Sequence, residues 1–131
     1  MTLIQSVFDM GVQTRDPAPV VIAEIGANHN GDPEVAIRML DAIAGTGAQW
    51  VKFQVYTADE LVADKDLPVT WGPPGRQVRE PVGKMFNRIS LSREHFPTLF
   101  RYARELGMTP FATPFSLEGV TFLEGLDVGL Y

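Results

Sequence analysis

A short apolar run that contains a single carboxylate constrains this chain more than any other stretch. Five of the six residues from Val20 to Ile25 are apolar, and the exception is Glu24. A run of this length is too short for a buried helix and is typical of a parallel strand covered on both faces. Because a carboxylate that is buried without partners loses its hydration, Glu24 is expected to be paired or to face a polar cavity at the strand's carboxyl end. The polar residues that follow favour the cavity.

Bulk composition narrows the classes of function. The 131 residues fit one domain, and the formal net charge of -5 leaves no basic stripe to neutralise phosphates. We therefore expect no nucleic-acid partner and no membrane partner. The chain has no cysteine, which excludes disulfides and thiolate chemistry. Residues 1–9 lack the features of a signal peptide and no stretch approaches a membrane span, so a cytoplasmic location is expected.

Helix and strand signals alternate after the first strand. Asp32 is a good N-cap, Pro33 suits the first helical position and Gly45 follows the last apolar residue, so a helix is expected over residues 33–44. A period of two predicts the next strand over residues 50–55. Its two faces carry different residues: Val51, Phe53 and Val55 on one, and Trp50, Lys52 and Gln54 on the other. The polar face indicates either the interior rim of a closed parallel barrel or a solvated edge strand.

The second half of the chain begins with a long irregular segment. Residues 56–90 are rich in proline and glycine, and they predict no element beyond a helical turn near residues 58–63. Ser92 is expected to cap a helix, and Pro97 predicts either a distorted first turn or a helix start nearer Glu94. The remaining elements expected are a strand over residues 109–113, a helix over 117–124 and the approach to a fourth strand at 127–131. The irregular segment also carries four basic side chains that could meet an anion: Arg76, Arg79, Lys84 and Arg88.

The order of elements predicts an α/β fold. Residues 1–19 are expected to form a short hairpin that leads in, and residues 20–131 three βα units and the start of a fourth strand. Reacting groups in βα proteins gather where strands end and βα loops begin. Four polar side chains lie at such ends on three successive strands: Glu24, Lys52, Gln54 and Thr113. We expect them to converge around one pocket.

Lys52 is a charge in an otherwise apolar strand, and three roles fit it. It can be a Schiff-base nucleophile, a fixed cation for a phosphate or carboxylate, or the partner of Glu24 in a structural salt bridge. The hydroxyl of Thr113 nearby favours the anion role. His29 and His95 lie far apart in the sequence without a further ligand at suitable spacing, so no metal site is assigned to this chain.

Three linked motifs resemble those of the N-acetylneuraminate (sialic acid) synthase family, which includes the legionaminic and pseudaminic acid synthases. They are Ile22-Ala23-Glu24-Ile25-Gly26-Ala27-Asn28-His29-Asn30-Gly31, Val51-Lys52-Phe53-Gln54 and Ala112-Thr113-Pro114-Phe115-Ser116. The resemblance spans about residues 20–130. It implies a (β/α)8 TIM barrel, of which residues 20–131 would form a truncated portion of about three and a half βα units.

The resemblance also implies a reaction. Family members condense phosphoenolpyruvate with an N-acylated mannosamine-type sugar to give a sialic-acid-like nonulosonate. Carried over to this chain, the resemblance places Lys52 and Thr113 on the phosphoenolpyruvate, Gln54 on the sugar, and Glu24 beside the reacting carbons as the catalytic residue. It implies a divalent metal, Mn or Mg, whose ligands lie on later strands beyond this chain. The family's sugar-contacting loop reads Gly72 to Glu80 here, which leaves the acceptor sugar open.

A chain of this length is too short to close a barrel of eight strands. The would-be interior, with Ile22, Trp50 and Phe111 on it, is then expected to be exposed, and exposed apolar faces and strand edges drive association. We expect a homo-oligomer or a marginally folded chain that is inactive alone as a synthase. The alternatives are a lyase or aldolase that forms a Schiff base through Lys52, and a non-catalytic anion-binding truncated barrel fragment.

Overall fold

The computed structural model describes residues 20–131, which form a parallel sheet, flanking helices and a separate antiparallel hairpin. The strands are β1 (Ile22–Gly26), β2 (Trp50–Val55), β3 (Pro68–Trp71), β4 (Val78–Pro81) and β5 (Thr109–Pro114). The helices are α1 (Pro33–Ala44), α2 (Ala58–Leu61), α3 (Val82–Ile89), α4 (Phe96–Glu105) and α5 (Leu117–Glu124). The expected N-terminal hairpin, residues 1–19, lies outside the described residues. None of the helices within residues 20–131 is long and apolar enough to cross a membrane.

The parallel sheet has the order β1-β2-β5, so β2 lies between the other two strands. In its register Glu24 lies opposite Lys52, and Gln54 lies opposite Thr113. The register of β1 shifts between Glu24 and Gly26. Because parallel strands need crossover connections, α1 joins β1 to β2, and residues 56–108 join β2 to β5. The α/β fold and the parallel order predicted from the sequence are confirmed.

Helix α1 begins and ends where its capping residues predict. The carboxylate of Asp32 accepts hydrogen bonds from the backbone N–H groups of Glu34 (2.8 Å) and Val35 (3.3 Å). Gly45 is the C-cap. The buried stripe of the helix is Ala36 and Leu40, and Val35 is only half-buried. The caps therefore fix the ends of the helix, and Ala36 and Leu40 carry its buried face.

The hydrophobic core lies between the sheet and the helices on one face. The alternation in β2 is confirmed, because Val51, Phe53 and Val55 are all buried while Lys52 and Gln54 are half-buried. Three aromatic rings form the centre of this core: Phe53 of β2 with Phe96 and Phe100 of α4, at centroid distances of 5.8 to 6.0 Å. Aromatic pairs of this kind add about 0.5–1.5 kcal/mol each beyond the area that they bury. The Lys52 side chain therefore lies on the sheet face opposite the core.

The start of α4 is distorted, as Pro97 predicts. A 3-10 helix, Arg93–His95, precedes the α-helix, and Pro97 occupies one of the first two helical positions. The expectation that the Ser92 side chain caps this helix is wrong, because its hydroxyl makes no capping bond. The Ser92 carbonyl instead accepts the His95 N–H at 3.1 Å. A 3-10 turn satisfies its first donor through the backbone, so a side-chain cap is not required.

Two expectations about the first strand and the sheet face need correction. Strand β1 is not covered on both faces, since Ile22 is 45% exposed. The strand lies at the edge of the described sheet and has one neighbouring strand there. Conversely, Trp50 and Phe111 are not exposed and retain only 5% and 4% of their surface. Their rings pack edge to face at a centroid distance of 6.2 Å. Mutual packing removes much of the apolar surface expected to drive association.

The segment 56–90 contains more regular structure than its composition predicts. The helical turn after β2 is present as α2, but β3 and β4 pair in an antiparallel hairpin and α3 runs for eight residues. The hairpin strands are four residues long and mostly exposed, so they leave no buried alternation in the sequence. At the other end of the chain, residues 127–131 form no strand.

Candidate functional site

Four predicted site residues lie on one face of the sheet, where β1, β2 and β5 approach their carboxyl ends. Lys52 and Gln54 are two residues apart on β2, and their side chains therefore point to the same face. Glu24 is the register partner of Lys52, and Thr113 that of Gln54. Residues in register on neighbouring parallel strands share a face, so the four side chains form a staggered row across three strands on one face of the sheet.

Glu24 and Lys52 form an ion pair. Lys52 Nζ lies 2.7 Å from Glu24 Oε2, with 30% of the lysine side chain and 41% of the glutamate side chain exposed. The sequence left open whether Glu24 is paired or faces a cavity, and it is both paired and open to solvent. An ammonium has three N–H donors, and this contact uses one of them. The contact with Glu24 therefore occupies one of the three donors of a partly exposed ammonium.

Gly26 allows the polar groups of β1 and β2 to approach each other. A Cβ atom at Gly26 would lie 3.2 Å from Glu24 Oε1 and 3.7 Å from Gln54 Nε2. The backbone also has a positive φ of 55° there, which disfavours a side chain. The carboxylate and the amide therefore converge above this glycine. The sequence offered Gly26 only as part of a motif, because neither its φ nor this approach can be read from spacing.

The loop after β1 is held by short-range hydrogen bonds. The Asn28 side chain donates to the Ile25 carbonyl at 3.0 Å, and the Gly31 N–H donates to His29 Nδ1, also at 3.0 Å. His29 is 1% exposed, and its Nε2 makes no hydrogen bond of normal geometry within the described residues. Since Nδ1 accepts a hydrogen bond, the ring is neutral with its proton on Nε2. The buried His29 ring thus stabilises the loop through its hydrogen bond with Gly31.

Burial lowers the pKa of His29 below its ordinary value of 6.5, against smaller opposing effects of the Gly26 carbonyl and the Asp32 carboxylate. The stabilisation from the neutral ring is therefore complete above about pH 6.5 and is lost as the pH falls from there through the lowered folded-state pKa. We expect urea unfolding to show a fall in stability between pH 7.5 and 5 that is smaller in His29→Gln.

The control for this prediction is the other histidine. His95 lies at the 3-10 helix with 38% of its side chain exposed, so His95→Gln serves as the matched loss of a histidine that is not buried. Carboxylates also titrate in this range, and the comparison between variants removes their contribution. Equal pH profiles for His29→Gln and the wild type would show that the histidine is not responsible.

The basic residues of segment 56–90 do not all meet an anion site. Arg88 pairs with Glu80, and its guanidinium lies 5.0 Å above the Trp71 ring. The Trp71 N–H also donates to Glu80 at 2.9 Å. A cavity of about 240 Å³ adjoins this cluster, lined by Ala27, Asn28, Asn30, Trp71, Met85, Arg88 and Ile89. Arg76, Arg79 and Lys84 are exposed. Arg88 of the predicted basic set therefore lines a cavity beside the β1 loop.

The described residues do not fit a divalent metal. Within residues 20–131 no three histidine or carboxylate side chains come together at a spacing that could hold one. His29 points one nitrogen at its own loop, and Glu24 is engaged by Lys52. With His29 and Glu24 engaged in this way, a single ligand atom remains, and one ligand makes a weak metal site.

Comparison with known proteins finds a matching family and several relatives. Residues 39–131 match the NeuB family. The pseudaminic acid synthase of Helicobacter pylori is 33% identical over 115 residues, which is 86% of this chain and 33% of that protein. The human N-acetylneuraminate-9-phosphate synthase is 32% identical over 117 residues, or 85% of this chain and 31% of that protein. The chain thus spans about a third of the length of these relatives.

A solved structure is similar in fold over the same part of the chain. The N-acetylneuraminic acid (sialic acid) synthetase of Leptospira borgpetersenii, in complex with citrate, superimposes with a TM-score of 0.66 at 28% sequence identity. The match covers 85% of this chain and 34% of the synthetase. This part of the chain therefore adopts a fold that is also found in a sialic acid synthetase.

Proposed function

The chain belongs to the NeuB family, and on that premise we propose that it carries the phosphoenolpyruvate-binding part of a nonulosonate synthase. The homologous synthases are named for sialic-acid-type products. The proposal extends this to a phosphoenolpyruvate donor, an N-acylated mannosamine-type acceptor and about three and a half βα units of a (β/α)8 barrel. Residues other than those described would form the further parts of the barrel and provide the ligands of the divalent cation.

The observation that carries the proposal is the half-exposed ammonium of Lys52 on the polar sheet face. Phosphoenolpyruvate is a compact anion with a phosphate and a carboxylate. The Lys52 ammonium uses one N–H donor in its contact with Glu24, and the others can bind such an anion. The hydroxyl of Thr113, one strand away and in register with Gln54, can donate a second hydrogen bond. Two donors on neighbouring strands suit two oxygen atoms of one anion.

The remaining side chains fit the steps of the condensation. C3 of phosphoenolpyruvate forms a bond to the aldehyde carbon of the open-chain sugar, which leaves positive charge at C2. The aldehyde oxygen takes the electron pair of its C=O bond and becomes a hydroxyl with a proton that the water adding at C2 releases. Water then adds at C2, and the C2–O bond to phosphate breaks to give the keto acid and inorganic phosphate. Glu24 beside C2 stabilises that charge or orients the water, and Gln54 contacts the sugar hydroxyls. The Glu24 carboxylate and the Gln54 amide both lie within 4 Å of the position that a Cβ at Gly26 would take.

The same ion pair weakens the rival in which Lys52 forms a Schiff base. A Schiff base needs a neutral amine, and the Lys52 nitrogen instead contacts a carboxylate at 2.7 Å. Borohydride treatment in the presence of pyruvate should therefore leave Lys52 unmodified. A reduced covalent adduct on Lys52 would favour the lyase or aldolase function instead.

The proposed function is tested by binding and turnover together. We expect the 131-residue chain to bind phosphoenolpyruvate at millimolar concentration and to release no phosphate when N-acetylmannosamine and Mn²⁺ are added. Light scattering on the same sample reports whether it self-associates. Phosphate release by a folded monomer would contradict the proposal that the chain is a truncated barrel. In that case Glu24→Gln should abolish phosphate release if Glu24 is the catalytic residue. Failure to bind phosphoenolpyruvate would contradict the proposed function itself.

A further inference from the structure

Glu60 connects two loops that leave the sheet side by side. It lies in α2, the short helix after β2, at the third helical position. Glu60 Oε2 accepts the Thr57 N–H at 2.6 Å, and the Glu60 N–H donates to Thr57 Oγ1 at 3.3 Å. This reciprocal pair is a capping box, and it fixes the start of α2 immediately after β2.

The second carboxylate oxygen of Glu60 contacts distant parts of the chain. Oε1 accepts hydrogen bonds from Ser116 Oγ and from Arg93 Nη2, both at 2.6 Å, across 56 and 33 residues. Ser116 Oγ in turn accepts the Gly119 N–H at 2.9 Å as the N-cap of α5. The Arg93 guanidinium lies 5.7 Å above the ring of Phe122, on the same helix. A capping box alone requires none of these contacts.

The Glu60 carboxylate is largely buried, and its hydrogen bonds stabilise its charge. Only 16% of its side chain is exposed. Burial acts to raise the pKa of this carboxyl, but hydrogen bonds from Ser116, Thr57 and Arg93 outweigh it and hold the pKa below its ordinary value. The carboxylate is therefore ionised and fully engaged near neutral pH. Hydrogen bonds to an ionised acceptor are shorter and stronger than neutral ones.

We propose that Glu60 is a positioning residue that couples the loop after β2 to the loop after β5 and thereby sets the spacing of Gln54 and Thr113. The two loops leave adjacent strands, and the Phe115 N–H donates to the Val55 carbonyl at 3.3 Å where they part. Glu60 joins them again within a few residues. The consequence for substrate rests on the proposed function, in which Thr113 contacts phosphoenolpyruvate and Gln54 contacts the acceptor sugar.

Amide hydrogen exchange tests the coupling without any ligand. Glu60→Gln keeps an acceptor for Thr57 but loses the charge and one oxygen acceptor. We expect the Phe115 and Gly119 amides to exchange about tenfold faster in this variant, while the amides of α4 are unchanged. The matched control is Asp59→Asn in the same helix, whose carboxylate is 75% exposed and pairs with the surface residue Lys65. It should leave both amides as in the wild type.

Phosphoenolpyruvate binding then tests the consequence. Glu60→Gln should bind it about tenfold more weakly because Thr113 is displaced, and the loss should not add to that of Thr113→Ala. Should Glu60→Gln fail to fold, Arg93→Gln removes one donor from the same carboxylate and carries the same readouts. Unchanged exchange, or faster exchange that includes α4 equally, would overturn the coupling. A wild-type chain that does not bind phosphoenolpyruvate would instead overturn the proposed function, and the exchange rates would still decide the role of Glu60.

Discussion

Lys52→Ala should weaken phosphoenolpyruvate binding by about 10- to 100-fold, because a hydrogen bond to a charged group contributes roughly 1.5–3 kcal/mol. The ammonium is the cation on the open sheet face, and its removal also leaves Glu24 facing the incoming anion unpaired. Both effects act in the same direction, since a bare carboxylate repels a phosphate. Calorimetric titration of the chain with phosphoenolpyruvate measures the dissociation constant directly.

The control for this prediction is a lysine of equal charge that lies outside the site. Lys84 is exposed on α3, in the basic segment that could also have met an anion. Lys84→Ala should leave the dissociation constant within a factor of about two, because it removes only an exposed and screened charge. If both variants weaken binding equally, the anion responds to net charge and not to Lys52.

Among substitutions that add one methyl group to the loop after β1, Gly31→Ala should lower the free energy of unfolding most. The residue has a φ of 77°, and an added Cβ would lie 2.6 Å from the Arg88 carbonyl oxygen and 3.0 Å from that of Ser90. Both neighbours are backbone atoms at the end of α3 and cannot rotate away. Strain from the positive φ and the clash should each contribute about 1–3 kcal/mol.

A second glycine separates these two contributions. Gly47 has a φ of 80° with open space where its Cβ would lie, so Gly47→Ala reports the backbone strain alone. Urea unfolding of the two variants should differ by the clash term of about 1–3 kcal/mol, with Gly31→Ala the less stable. Equal losses would mean that the loop after β1 does not pack closely against the end of α3.

The parts of the fold that local chemistry dictates could be predicted from the sequence. The bounds of α1 follow from Asp32 and Gly45, and those of β2 from its alternation of apolar and polar residues. These signals are local, and each is reinforced by burial of one face. The placing of Lys52 and Gln54 opposite the core follows from the same alternation.

The parts that depend on distant contacts could not be predicted. The hairpin of β3 and β4 is mostly exposed on both faces, so no periodicity marks it. The burial of Trp50 depends on Phe111, which approaches it only when β5 pairs with β2. Likewise, the role of Glu60 depends on residues that are 33 and 56 positions away. Local spacing contains no information about such partners.

The central claim is that phosphoenolpyruvate binds where β1, β2 and β5 end, and an NMR titration of backbone amides tests it most directly. Addition of phosphoenolpyruvate to the isotopically labelled chain should shift the amides of four residues most: Glu24, Lys52, Gln54 and Thr113. Inorganic phosphate should shift fewer of them, because it lacks the carboxylate. Shifts confined to the exposed basic residues of segment 56–90, with the strand ends unchanged, would contradict the claim.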